Sequence, residues 1–144
     1  MKRVLFLSFL LGSAFIGLTQ NAPLPVKEKY QAGPWEDNAG YTQAVKVGNT
    51  LYLSGHVAGG TFEEQVKGVY TSLEKTLAQY GATFAHVVKE NLYTTDIEEM
   101  KKHNEIRKAF YGKDYPAATW VQISRLYMAE AMLEVEVIAV LGEE

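Results

Sequence analysis

The segment Met132-Leu-Glu-Val-Glu-Val-Ile-Ala-Val140 constrains the fold more than any other stretch of the chain. Side chains alternate across a strand with period two, so Met132, Glu134, Glu136, Ile138 and Val140 share one face. Two carboxylates two residues apart in an otherwise apolar strand must be solvated, paired or used. Before it runs Tyr115-Pro-Ala-Ala-Thr-Trp-Val-Gln-Ile-Ser-Arg-Leu126, a second strand pattern that places Ala118, Trp120, Gln122 and Ser124 on one face. Only five residues separate the two.

The rest of the chain supplies partners for these strands. Thr42–Val47 and Thr50–Val57 alternate around Gly48-Asn49, a two-residue turn of the kind that tolerates positive φ, and together predict a hairpin. Thr61 with Glu64 forms a capping box, and Val66, Val69, Tyr70, Leu73, Leu77 and Tyr80 then recur at helical spacing up to Gly81. His86–Thr95 reads as a strand. Asp96, followed by Glu99, opens a second helix with apolar positions Ile97, Met100, Ile106, Ala109 and Phe110, ending near Gly112. The predicted order is β-β-α-β-α-β-β, an α+β fold with both helices on one face of a sheet. Residues 20–37, polar and punctuated by Pro23, Pro25 and Pro34, read as a linker into a domain spanning 38–144.

Residues 1–19 are of another kind. Lys2 and Arg3 precede an uncharged run from Val4 to Leu18, and Gly17 and Thr19 supply small residues before Gln20. This is the pattern of a cleaved secretory signal peptide, with an uncleaved single-helix anchor or a buried strand as the alternatives, so the expectation is an exported protein, periplasmic or secreted, with no membrane segment after cleavage. Cleavage removes two cations and moves the formal charge from −3 to −5. An acidic domain lacks the basic surface that sequence-independent nucleic-acid binding requires, so no nucleic-acid partner is expected. There is no cysteine for a disulfide or a thiol nucleophile, and His56, His86 and His103 show no metal-ligand spacing. A zinc site is therefore not expected.

Several segments in order resemble one family. They are Gly40–Val45, Val47–Gly55, Val87-Val88-Lys89, Asn104 with Phe110-Tyr111, Pro116-Ala117, and Leu133-Glu134-Val135-Glu136. The chain resembles the RidA/YjgF family, also called reactive-intermediate deaminases or L-PSP endoribonucleases, from about Gly40 to Val140. The resemblance implies a chorismate-mutase-like fold assembled as a homotrimer, with small-molecule pockets at the subunit interfaces. It implies a substrate that is a small enamine or imine, hydrolysed to a carbonyl compound and ammonia without cofactor or metal. It assigns pocket closure to Tyr41, a strand end to Ser54-Gly55, and water and proton handling to Glu134.

Three positions depart from the family pattern. Ala118 stands where the family's arginine binds a substrate carboxylate, His56 where glutamine is usual after Ser-Gly, and Trp120 where a small side chain is usual. A guanidinium gives a carboxylate two charge-assisted hydrogen bonds that a methyl group cannot replace, a loss of roughly 2–5 kcal/mol in binding. Arg125 has the opposite strand parity to Ala118 and is no stand-in.

Each candidate carries two readings. Glu134 is either a general acid/base with a pKa raised among apolar neighbours, or a solvated strand residue, which Glu136 resembles more. Tyr41 is either a ligand donor or a cap on the domain edge. His56 is either a donor or base near neutral pH, or a satisfied structural histidine. Trp120 is either packing or an aromatic floor for a flat ligand, and Asn104 hydrogen-bonds either a loop or the ligand. The functional expectation is a divergent imine or enamine hydrolase that does not clamp a carboxylate. A non-catalytic small-molecule binding protein is the alternative, and ribonuclease action ranks last.

Overall fold

The computed structural model describes residues 22–142. Residues 1–19, expected from their sequence to be a signal peptide, lie outside them. Among the described residues six strands form one sheet in the order β1-β2-β3-β6-β4-β5. They are β1 (Glu28–Tyr30), β2 (Ala44–Val47), β3 (Thr50–His56), β4 (Val87–Thr94), β5 (Ala117–Gln122) and β6 (Leu133–Val140). All neighbours pair antiparallel except β4 and β5, which are parallel.

The hairpin and the first long helix form as their residues dictate. Gly48 takes φ 58° at the β2–β3 turn, a conformation glycine adopts without steric cost. In the helix α2 (Phe62–Ala78) the Thr61 hydroxyl accepts from Glu64 N–H at 3.4 Å, while Thr61 N–H donates to the Glu64 carboxylate at 2.8 Å. Its stripe of Val66, Val69, Tyr70, Leu73 and Leu77 is fully buried against Leu133, Val135, Val137 and Ala139 of β6 and Leu51 and Leu53 of β3. The mean architecture is therefore α+β with helices on one sheet face, as the patterning predicted. The other face is left open.

Two differences from the sequence reading bear on function. Residues 28–39, read as part of a linker, belong to the domain. They form β1 and a short helix α1 (Trp35–Ala39). Glu36 is buried and its carboxylate accepts N–H groups of Ala32, Gly33 and Gln43, which ties this segment to β2. The single helix predicted after Asp96 is two, α3 (Ile97–Lys102) and α4 (Asn104–Tyr111), broken at His103, whose ring stacks on Phe62 at 6.0 Å. The break rotates the second half. Arg107 and Tyr111 face inward and Ala109 is exposed, so the apolar stripe drawn through Ala109 is not the buried one.

Candidate active site

Glu134 sits on β6 opposite Tyr93 of β4, on the open face of the sheet. A bulge in β3 brings it a neighbour. Leu53 pairs with Val137 and His56 with Val135, so three steps of β3 match two of β6, and the extra residue falls at Ser54-Gly55. A Cβ at Gly55 would overlap the Glu134 carboxylate; only glycine leaves room for it. Among the described residues Glu134 has no hydrogen-bond partner, although it is half-buried. Burial first, and the charge of Glu136 second, raise its pKa above the ordinary 4.5 of a glutamate. Glu136 is differently placed. It accepts from Asn91 Nδ2 at 2.9 Å and Tyr93 Oη at 3.1 Å, and lines a groove of about 320 Å³ on the open face with Val45, Tyr52, Ser54, Lys89 and Ile138.

Ser54 and Tyr41 approach the same strand end. The Ser54 hydroxyl donates to Thr42 C=O at 2.7 Å, which fixes the residue after Tyr41 beside the bulge. The Tyr41 hydroxyl, on a partly exposed ring, accepts from Trp35 Nε1 at 3.3 Å and borders a second groove of about 450 Å³ with Lys29, Gln31, Asp37 and Thr42.

The remaining candidates do not join this group. His56 faces the helices. Nδ1 lies 2.8 Å from Ser54 C=O and 3.2 Å from Gln43 Nε2, and Nε2 lies 3.0 Å from the Thr76 hydroxyl of α2. Burial lowers its pKa below 6.5, and both ring nitrogens are engaged within the chain. Ala118 pairs with Glu90 and Trp120 with the buried Leu92 across the parallel ladder, so both share the helix-side face of the sheet. Within one chain they are on the opposite face from Glu134. Within one chain, therefore, Glu134 and Trp120 do not face a common hollow. Parity gave the right partners within each strand, but the relative phase of β5 and β6 depends on their common neighbour β4. Asn104 opens α4 on that same helix side, and its Oδ1 is buried without a partner. Arg125 is exposed beyond the end of β5.

The sequence reading missed the group around Ala118. Glu90 is fully buried and accepts from Arg107 Nε at 2.9 and 3.2 Å, Tyr70 Oη at 3.0 Å, Tyr111 Oη at 2.8 Å and Trp120 Nε1 at 2.9 Å. The Arg107 guanidinium lies 4.8 Å from the centroid of the Tyr111 ring and 4.9 Å from that of Trp120. One signal was available: Glu90 shares strand parity with Leu92 and Thr94, a charge on a core face that needs a cation. No group of three or more His, Cys, Asp or Glu side chains among the described residues is arranged to hold a metal ion.

The profile of the family described as Endoribonuclease L-PSP matches residues 35–141. This chain belongs to that family, the RidA/YjgF proteins. A RutC family protein of Pyrococcus abyssi is 32% identical over 130 residues, covering 84% of this chain and 92% of that one. The human 2-iminobutanoate/2-iminopropanoate deaminase is 31% identical over 112 residues, covering 71% and 80%. Among solved structures, a YjgF/YER057c/UK114 family member from Mycobacterium tuberculosis superposes with a TM-score of 0.76 at 27% identity, over 81% of this chain and all of that one. The chorismate-mutase-like fold of the family is thus the fold of this chain.

Proposed function

We propose that the protein hydrolyses a small imine or enamine to a carbonyl compound and ammonia, with Glu134 activating the water. The observation that carries this reading is Glu134 itself: an unpartnered, half-buried carboxylate over Gly55, with its proton affinity raised. Such a group takes a proton from water as the oxygen adds to the C=N carbon, and returns it to the nitrogen as ammonia leaves. The relatives named as 2-iminobutanoate/2-iminopropanoate deaminases support the reaction class. Ala118 in place of a strand arginine argues for a substrate without a clamped carboxylate.

In this reading Tyr41, Ser54, Gly55 and Glu134 form one half of the site, and Asn104, Ala118 and Trp120 the other, contributed by a second copy in a homotrimer. The open sheet face, carrying exposed Tyr52, Val121 and Val140, supports packing between copies. Light scattering tests the assembly. Ammonia release from freshly generated 2-iminobutanoate and from imines lacking a carboxylate tests the chemistry. Turnover of the second class, abolished in Glu134→Gln, is expected; no ammonia from either class sinks the proposal.

The missing strand cation also favours a second reading, a binding protein without turnover, in which a ligand raises Tm equally in the wild type and Glu134→Gln. Ribonuclease action, which the family description names, has little support from a chain of net charge −3. RNA cleavage lost on one substitution would restore it. Export is proposed on the Lys2-Arg3 and Val4–Leu18 pattern, and finding Met1 at the N-terminus of protein taken from its host would refute it.

A further inference from the structure

The buried pair beside Ala118 has a consequence for what the site accepts. Arg107 is 5% exposed and spends its Nε–H on Glu90; among the described residues neither terminal nitrogen has a hydrogen-bond partner. Those N–H groups are left for solvent or a ligand, in a guanidinium whose Cζ lies over the Tyr111 and Trp120 rings. One turn earlier on α4, at the spacing that puts residues on one helix face, Asn104 Oδ1 is a buried acceptor without a donor. Ala118, directly paired with Glu90 on the same sheet face, is exposed and covers little with its methyl group. Arg107 and Asn104 thus set a donor edge and a buried acceptor on one face of α4, on the sheet side that also carries exposed Ala118.

The charge there decides which ligand group fits. Glu90 is fully buried and cancels Arg107, so the pair presents hydrogen bonds without net positive charge. A carboxylate entering here would bring a second anion towards Glu90 and has no N–H to give Asn104. A carboxamide has both complements: its oxygen accepts from Arg107, and its N–H donates to Asn104. We infer that Glu90, by neutralising Arg107, tunes this half of the site to an uncharged carboxamide-type head group in preference to a carboxylate. This rests on the hydrolase reading only for the substrate class it names, the amide counterparts of 2-imino acids. Glu90 acts through Arg107 and is a specificity-determining residue, not a catalytic one.

The test uses the stable ketone products, 2-oxobutanamide and 2-oxobutanoate, titrated calorimetrically into the full assembly. The amide is expected to bind at least about tenfold more tightly than the carboxylate. Glu90→Gln keeps the shape while freeing the cation, and is expected to raise carboxylate affinity about tenfold or more with little change for the amide. Equal binding of the two probes by the wild type, or binding of neither, overturns the inference without any variant having to fold. So does a folded Glu90→Gln protein with an unchanged preference. Ammonia release by the same preparations separates the two proposals. Turnover without amide preference leaves the hydrolase and removes this inference; amide preference without turnover does the reverse.

Discussion

Gly55→Ala is the sharpest probe of the site, because it adds one carbon and nothing else. That carbon would lie 2.7 Å from Glu134 Cδ and 2.8 Å from Cγ, and would overlap the nearer carboxylate oxygen. Unstrained carbon contacts lie at about 3.5–4.0 Å, so the Glu134 side chain must move by on the order of an ångström. The backbone gives no reason for destabilisation, since Gly55 is not among the glycines with positive φ. A half-buried carboxylate that swings outward regains solvent, which offsets part of the contact energy. The expected stability change is therefore small, about 1 kcal/mol or less. Activity should suffer far more. A misplacement of about 1 Å costs on the order of 10²-fold in rate, and complete loss of a general base about 10²–10⁴-fold. The assay is ammonia release from a carboxylate-free imine, with Tm from circular dichroism on the same sample. A variant with unchanged Tm and unchanged kcat would refute the placing of Glu134 as the group that handles water.

Three further outcomes follow from the same geometry. The acid limb of the kcat–pH profile should lie above pH 4.5, because burial and then Glu136 raise the Glu134 pKa, and Glu136→Gln should move that limb down. His56 binds its proton less readily folded than unfolded, so between its lowered folded pKa and 6.5 the unfolded chain holds more protons and stability falls as the pH drops; chemical denaturation of His56→Asn should flatten that slope. Arg107→Met strands the fully buried Glu90 carboxylate and should cost about 3–5 kcal/mol, whereas the double variant with Glu90→Leu should recover much of the loss. A drop of under about 1 kcal/mol for the single variant, as for an exposed pair, would contradict the burial of the pair.

What the chain reveals on reading depends on the range of the interaction. The β2–β3 hairpin, the Thr61 capping box and the alternation of β6 are local, and each formed where its residues predict. Glu134 was likewise legible as a carboxylate out of place in an apolar strand. Glu36 was not, because its three N–H partners lie on both sides of a turn and convert an apparent linker into an anchored edge. The break at His103 was hidden for a similar reason: the Phe62 ring that stacks on it is about forty residues away in sequence. Glu90 gave only a parity signal that it needs a cation, and Arg107 looks like an ordinary helix charge, so the sequence does not say which cation it is. Only the packing of α4 against β4 turns them into a buried pair.

The opposite faces taken by Glu134 and Ala118 allow a decisive mixing experiment on the proposed shared site. Alternation within β5 and β6 is rigid, and the register through β4 fixes Glu134 on one face and Ala118 on the other. One chain therefore cannot bring both to one ligand without breaking the sheet. Glu134→Gln disables the first half, and Ala118→Trp blocks the second at an exposed edge position that tolerates bulk. Each homogeneous variant should be inactive. When the two are unfolded together and reassembled in equal amounts, a site between copies draws each half at random, so about a quarter of sites regain both intact halves. Activity near that fraction requires sites shared between chains. Mixed assemblies that stay silent, although both variants assemble, would mean that Glu134 and Ala118 never serve one site.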